Sequence, residues 1–336
     1  MILTEIIVNH FTHTDLDGVG CSVLTHLFAR QNDASICVEY CDRGKNMNIN
    51  ERVNRFLDLV DMAHHVQAEL PKKRYVIISD ISIDDQTAAR LNAYRSGQFE
   101  VLMVDHHPPA AFAQVCPWAV INTSETACAT SMLYEELTLN KRFAKHRLKP
   151  NWAVDAFVED VRLYDTWEFE EKDNAQSLNI LLGCMGQHAF RTTVTSCLID
   201  SQPFVVKYTP YCEIVEHMLG ERKAYCNMKL SGVRRISWNG YEVGVVFGEK
   251  YISQLADTIL DKWSDIDICA VIVMPYSVSL RTKRTDIDLG KLAALMGGGG
   301  HQKSAAFIID KPNEQMIRTI MKLEEMPLGK EETGKP

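Results

Sequence analysis

Residues 6–18 read Ile-Ile-Val-Asn-His-Phe-Thr-His-Thr-Asp-Leu-Asp-Gly, a short β-branched run that gives way to polar and acidic residues. Two later stretches have the same form: Tyr75-Val76-Ile77-Ile78-Ser79-Asp80 and Val101-Leu102-Met103-Val104-Asp105-His106-His107. Each apolar run is too continuous for a half-exposed antiparallel strand, which would alternate. Amphipathic helical stretches lie between them, at 19–29, 49–66 and 85–94. This alternation predicts an α/β fold, with an N-terminal doubly wound, mostly parallel sheet and a smaller C-terminal α/β domain. In open sheets of this kind ligands bind beyond the carboxyl ends of the strands, where all three polar clusters would lie.

Outward from these strands, residues 124–165 read as helical, opening with Ser124 and Glu125. Residues 170–225, with the charged run 170–174 and the breakers Pro203 and Pro210, read as hinge and connecting helices. From 226 the texture turns strand-like, at 241–247 and 268–274, with turn signals at Asn239-Gly240 and 297–300. The expected division is a catalytic, metal-binding domain (1–185), connecting helices (186–225), a substrate-binding domain (226–325) and a frayed tail (326–336). The active site is expected in the cleft between the two domains.

The 336 residues are 46% hydrophobic and carry 36 Lys+Arg against 44 Asp+Glu, a net charge of −8. Such a surface repels a phosphate backbone, so long nucleic acid is excluded as a main partner. Residues 213–311 hold 13 Lys+Arg against 12 Asp+Glu, so the acidic excess lies elsewhere. No apolar run approaches the ~18 residues of a membrane span, and no basic-then-apolar leader opens the chain, so the expected location is cytoplasmic, without a membrane partner. Ten cysteines without a CxxC pair argue against a zinc ribbon or a disulfide scaffold and read as mostly buried, reduced thiols.

Singly, the polar clusters are weak signals. Asp17-Gly18 could be a turn and helix cap, and His106-His107 could be loop histidines. Together, three strand ends deliver His13, Asp15, Asp17, Asp80, Asp105, His106 and His107 to one rim. Converging carboxylates repel one another unless cations neutralise them, and two divalent ions would do so. Carboxylate oxygens with imidazoles and no thiolate suit Mn²⁺ best, ahead of Mg²⁺, Co²⁺ or Zn²⁺. Two ions roughly 3.5–4 Å apart can turn a bridging water into hydroxide and clamp both oxygens of a phosphoryl centre. The chemistry expected is phosphoester hydrolysis.

The segments THTDLDG (12–18), ISD (78–80), VDHHPP (104–109), DTWEF (165–169) and GGGGHQKSAAF (297–307) occur in this order. The set resembles the DHH phosphoesterase superfamily with its DHH-associated C-terminal domain, over nearly the whole chain. The resemblance implies that His13, Asp15 and Asp80 hold one metal and that Asp17, Asp80, His106 and Asp165 hold the second, with Asp80 bridging. It implies that Asp105 orients His106 and that His107 touches the scissile phosphate. His13 precedes Asp15 by two residues, as in the HxDxDG subset. Asp160 and Asp165 are both candidates in the fourth motif. The DTxxF match favours Asp165 and leaves Asp160 a helical salt bridge or a supporting role.

The glycines at 297–300 join two ordered stretches, which suits backbone N–H groups cradling a phosphate better than a flexible linker. The resemblance assigns Gly298, Gly299, Gly300 and His301 to gripping the substrate phosphate, with Arg281, whose planar fork donates paired hydrogen bonds. Lys283 and Arg284 read as a solvated strand end. Trp238, Tyr241, Tyr251 and Tyr276 could stack a base, although packing is the commoner role.

The chain looks most like the nano-RNase and small-nucleotide phosphodiesterase branch. The reaction expected is hydrolysis of di- to pentanucleotide RNA to nucleoside monophosphates, by hydroxide bridging two metals. His107, Arg281 and His301 would stabilise the developing charge. Cyclic mono- or dinucleotides and 3′-phosphoadenosine 5′-phosphate are the alternative substrates. The chain has no room for the extra nucleic-acid-binding domain of the family's larger exonucleases, and it lacks the basic ending of its pyrophosphatases. A nucleotide-sequestering protein is the non-enzymatic alternative, disfavoured because every expected carboxylate is present. The expected partners are a short RNA or small nucleotide and, at most, a second copy of the chain.

Overall fold

The computed structural model describes residues 5–42, 48–66, 71–96, 98–108, 111–143, 145–169, 174–238, 240–273 and 277–308. The tail 326–336, Tyr276, Asn239, Pro109 and most of the charged run, 170–173, lie outside the described residues. The chain forms two compact units, 1–216 and 217–336.

The first unit runs β1 (Ile6–Thr12), α1 (Leu16–Gln31), β2 (Ser35–Tyr40), α2 (Ile49–His65), β3 (Lys73–Ser79), α3 (Asp85–Tyr94), β4 (Phe99–Asp105), β5 (Ala119–Ile121), α4 (Ala129–Leu139), α5 (Trp152–Asp165), α6 (Asn174–Met185) and α7 (Gln187–Ile199). Its five strands are all parallel, in the order β2-β1-β3-β4-β5. The three runs read from the sequence are β1, β3 and β4, the centre of the sheet. The winding direction reverses between β1 and β3, which opens a crevice at their carboxyl ends. Sequence reading passed over β2 and β5. They are edge strands, and Ser-Ile-Cys-Val-Glu-Tyr of β2 alternates instead of running apolar.

One face of the sheet carries α2 and α3, through a core that includes Phe11, Val53, Phe56, Val76, Ile78, Met103 and Trp118. The other face carries α1, which packs in turn against α4, α5 and α7. Val19, Val23, Leu24 and Phe28 of α1 are wholly buried, so the helix is enclosed on most sides and its sequence lacks a broad polar stripe. Burying each such side chain contributes about 1.5–3 kcal/mol. The helices read as connecting, α6 and α7, pack into this first unit.

Two glycines allow the approach around α1. A Cβ on Gly18 would lie 2.5 Å from the His13 carbonyl oxygen, so the β1–α1 turn folds back on itself only with glycine there. A Cβ on Gly20 would lie 2.5 Å from Thr130 Oγ1 on α4.

The second unit takes most of α8 (Cys212–Lys229), then β6 (Arg234–Trp238), β7 (Tyr241–Phe247), α9 (Ile252–Lys262), β8 (Ile268–Val273), β9 (Ser277–Arg281), α10 (Leu289–Ala294), β10 (Gly299–Gly300) and β11 (Ser304–Ile308). The strand order is β10-β11-β9-β8-β7-β6, antiparallel except between β7 and β8. Leu255 and Ile259 of α9 pack with Cys269 and Val271 of β8 in one core, while Leu289 and Ala293 of α10 pack with Ile268 and Leu280 in another. Trp238, Tyr241 and Tyr251 pack against these cores, which is the ordinary reading of those aromatics. All ten cysteines are unpaired, and five are buried. Among the described residues no helix is long and apolar enough to cross a membrane.

Gly20→Ala is expected to lower unfolding stability by about 1–3 kcal/mol through overpacking against Thr130, read from urea denaturation. Gly220→Ala, inside α8 with open space around the added methyl, is the control and should gain about 0.5–1 kcal/mol.

Candidate metal centre

The β1–α1 turn places the first side chains. Asp15 caps α1, its Oδ1 accepting from the Gly18 N–H at 3.1 Å, while its Oδ2 lies 2.7 Å from His13 Nδ1. The cap is therefore Asp15 rather than Asp17. Asp17 stands inside the first helical turn, 2% exposed, and its two oxygens accept from the backbone N–H groups of Ala129 at 2.6 Å and Thr130 at 2.7 Å. These amides open α4, where the helix dipole favours a carboxylate. The Thr130 hydroxyl donates to the Asp17 carbonyl at 2.7 Å, fixing the two helices together. Sequence reading missed this anchor because it opened the helix at Ser124-Glu125. Cys128 is the actual cap, in a reciprocal box with Ser131 that lacks the usual Ser/Thr-x-x-Glu/Gln sequence signature.

Asp80 follows β3 in the left-handed region, φ 60°, with its N–H donating to the Val104 carbonyl at 3.0 Å. Both carboxylate oxygens are buried and, among the described residues, accept no hydrogen bond. Imidazoles approach from two sides, His13 Nδ1 at 3.6 Å from Oδ2 and His106 Nε2 at 3.4 Å from Oδ1. His106 Nε2 also lies 3.5 Å from Asp165 Oδ2 and 3.8 Å from Asp17 Oδ2. Three sets of donor atoms lie within 4.8 Å of one another: His13, Asp15 and Asp80; Asp17, His106 and Asp165; and Asp80, His106 and His107. Asp165 ends α5, whereas Asp160 accepts from Asn174 Nδ2 at 2.8 Å and joins none of these sets.

Asp105 departs from the sequence reading, which paired it with His106. Its Oδ1 instead meets His107 Nδ1 at 2.7 Å and accepts from the His107 N–H at 3.1 Å, while Oδ2 accepts from the Ser82 hydroxyl at 2.6 Å. The chain leaves β4 in a tight turn that folds residue 107 back onto 105.

Burial, reinforced by the charges of Asp15 and Asp17, holds the Asp80 carboxyl well above the usual range. Burial and then Asp17 push Asp165 up to about 8. Burial also raises Asp17, against the pull of His106. For Asp15 burial is outweighed by the hydrogen bond with His13, which leaves it below the usual range, and the same bond followed by Asp80 raises His13 to about 10. The nearby thiols of Cys21 and Cys128 are driven up by burial and by the charge of Asp17, so neither offers a thiolate. Two unpartnered buried oxygens, ringed by carboxylate and imidazole donors, fit hard divalent cations.

A polar ladder beneath this centre ties the two strand ends together. His10 Nδ1 lies 2.8 Å from Thr25 Oγ1 and its Nε2 2.8 Å from Ser79 Oγ, which is 2.7 Å from Thr12 Oγ1. The Thr12 hydroxyl also reaches the Gly18 carbonyl at 2.8 Å. Burial, then the Arg191 charge, lowers His10 to about 3.

In the second unit the glycine run is structured rather than a linker. Gly297, in the turn that follows α10, has φ 76°, and the Gly298 N–H donates to the Ala293 carbonyl at 2.9 Å. Gly299 and Gly300 pair with Ala306 and Ala305. A Cβ on Gly298 would lie 2.1 Å from the Ala306 carbonyl oxygen, and one on Gly300 would lie 2.5 Å from Ala305 Cα; only Gly299 of these three is unconstrained. His301 forms the turn into β11, its N–H donating to Ser304 at 2.7 Å. Arg281 is in register with Ser304, so it stands at the same end of the sheet as that turn. Its guanidinium donates to Ser279 Oγ, the Leu280 carbonyl and Ser253 Oγ, with no carboxylate in ion-pair range among the described residues. Lys283 and Arg284 are instead paired with acids, Lys283 with Asp257 and Asp261, Arg284 with Asp267 and Asp286.

Residues 5–156, within the first unit, match the DHH family, N-terminal domain. Over 324 residues the chain is 28% identical to the oligoribonuclease NrnB of Bacillus subtilis strain 168, covering 94% of this chain and 76% of that protein. Among solved structures it is similar to the pGpG-specific phosphodiesterase PggH of Vibrio cholerae, with TM-score 0.52, 11% identity and coverage of 94% and 97% of the two chains. An exopolyphosphatase-related protein of Bacteroides fragilis matches with TM-score 0.51, 15% identity and coverage of 94% and 90%. These two likenesses confirm the α/β fold.

Asp80→Asn should raise the stability of the metal-free protein by about 1–3 kcal/mol, because it removes an uncompensated buried charge. The same variant should lose most of the rise in thermal midpoint that Mn²⁺ gives the wild type, read by differential scanning calorimetry. His10 supplies a pH test. Its unfolded form takes a proton near pH 6.5 and its folded form only near 3, so the unfolded chain binds the extra proton between them. Stability should therefore rise with pH through that window and be lost as pH falls below about 6.5. His10→Gln should flatten the slope between pH 4 and 6 by ~1.4 kcal/mol per unit, measured by urea unfolding at each pH.

Proposed function

We propose that this chain is a divalent-metal-dependent phosphodiesterase that hydrolyses short RNA, of di- to pentanucleotide length, to nucleoside monophosphates. The observation that carries the reading is the buried, unpartnered Asp80 carboxylate between two imidazoles and three further carboxylates. The oligoribonuclease named among its relatives supports the substrate class. His13, Asp15 and Asp80 would hold one cation, and Asp17, Asp80, His106 and Asp165 a second, with Mn²⁺ the ion that best suits the donors. Bound there, divalent cations supply the positive charge that draws in a phosphate and acidifies water for attack on phosphorus.

The chain's own groups do the rest. Asp105 Oδ1, 2.7 Å from His107 Nδ1, fixes the ring, which we assign to contact a phosphoryl oxygen. The α4 amides hold Asp17 in place and keep its carboxylate from turning away. In the second unit Arg281, without an acidic partner among the described residues, and the turn of Gly298, Gly299, Gly300 and His301 are the phosphate-binding groups we assign. Ten unpaired cysteines fit a reducing compartment such as the cytoplasm.

The test is one rate comparison with Mn²⁺ across RNA of two to ten nucleotides, cyclic mono- and dinucleotides, 3′-phosphoadenosine 5′-phosphate and pyrophosphate. Di- to pentanucleotides should exceed every other substrate by at least about 10-fold in kcat/KM, a difference of ~1.4 kcal/mol in the barrier. A faster cyclic or 3′-phosphorylated substrate would replace the assignment. Absence of turnover with Mn²⁺, Mg²⁺ and Co²⁺, alongside tight nucleotide binding, would sink the enzymatic reading.

A further inference from the structure

Beyond Asp165 the chain leaves α5 through Thr166 and Trp167. Trp167 has φ 61°, the left-handed position that at a helix end is usually filled by glycine and is strained for a bulky side chain. Its indole is nonetheless 39% exposed. Hydrophobic burial alone therefore gives a weak reason for tryptophan here, where glycine would relieve the backbone.

The indole is exposed but held. Tyr164 and Phe169 stack at 5.4 Å between ring centroids with planes 12° apart, and Trp167 meets Phe169 edge-on at 5.0 Å and Tyr164 at 6.0 Å. The backbone is tied by the Trp167 N–H to the Tyr164 carbonyl at 3.3 Å and the Glu168 N–H to the Leu163 carbonyl at 2.9 Å. Arg162 clamps the Glu168 side chain at 2.8 Å. Three rings thus form a fixed aromatic ledge. Two residues of chain reach at most ~7 Å, so the ledge starts within that distance of Asp165, whose carboxylate belongs to the His106 cluster.

We propose that Trp167, backed by Tyr164 and Phe169, is the stacking platform for the nucleobase next to the scissile phosphate. The inference rests on the phosphodiesterase reading and adds a specificity determinant to it. A phosphate held at the carboxylate and imidazole cluster carries its base one sugar away, a reach comparable with the ~7 Å that at most separates the backbone positions of Asp165 and Trp167. An aromatic face accepts any base, so the platform selects nucleotides over other phosphodiesters without selecting a sequence. Trp238, Tyr241 and Tyr251, singled out from the sequence, belong to the second unit and pack against its cores.

The experiment uses the full chain with Mn²⁺, a dinucleotide, and its abasic counterpart in which hydrogen replaces both bases. Trp167→Ala should reduce the ratio of kcat/KM for the dinucleotide to that for the abasic compound by about 5- to 100-fold, mostly through KM. Trp167→Phe should restore most of the ratio, and Trp167→Gly, which suits the left-handed backbone, should lose it while keeping the fold by circular dichroism. A separate arm measures calorimetric binding of adenosine 5′-monophosphate against ribose 5-phosphate. There Trp167→Ala should remove the advantage of the nucleotide even if the wild type turns over neither diester, so failure of the platform and failure of the phosphodiesterase reading are distinguishable. An unchanged ratio in Trp167→Ala overturns the proposal. So does an equal fall on both substrates, which would mean that the ring acts only by positioning Asp165.

Discussion

The architecture of the first unit turns on one unfavourable interaction, the burial of Asp80 beside Asp15 and Asp17. A carboxylate in that position, without a hydrogen-bond donor among the described residues, destabilises the metal-free chain. It also lies in the left-handed backbone region, its N–H tied to the Val104 carbonyl of the neighbouring strand. The fold maintains this strain at the point where the strand order reverses. The same repulsion that opposes folding gives the site its attraction for divalent cations.

The surroundings keep the candidate metal-binding atoms from relaxing away from one another. His10, Ser79 and Thr12 link the two strand ends that precede His13 and Asp80, and Thr12 also holds the Gly18 carbonyl at the start of α1. Helix α4 presents its first amides to Asp17, an arrangement that depends on Gly20 letting α1 and α4 touch. Asp105 restrains His107 from below. Asp17 and His107 are thus each held by buried partners, so that little reorganisation of these two groups is needed when charge develops on substrate.

The three central strands were legible because each is buried on both faces and is followed by a polar cluster too acidic for an ordinary loop. Their parallel order follows from the intervening helices, and from that order the meeting of His13, Asp80 and His106 at one rim. The edge strands were less legible, since half-covered strands alternate and are short. The partner of Asp105 was misread, because a sequence gives neighbours but not the direction in which a turn folds back. Helix α4 was placed too early, since its cap is a cysteine, a residue type rarely read as one.

By itself the sequence determined the fold class and the set of acidic and imidazole side chains that converge, because strand hydrophobicity and the residues after each strand are local properties. Only the tertiary structure decided which oxygens lack partners, that Asp165 rather than Asp160 enters the cluster, and that α4 anchors Asp17. It also decided that Trp167, two residues past Asp165, is exposed and held in the left-handed backbone region. These are matters of distance between segments far apart in the chain. Such distances are set by packing against a common core, through close approaches such as Gly20 against Thr130, which no local pattern encodes.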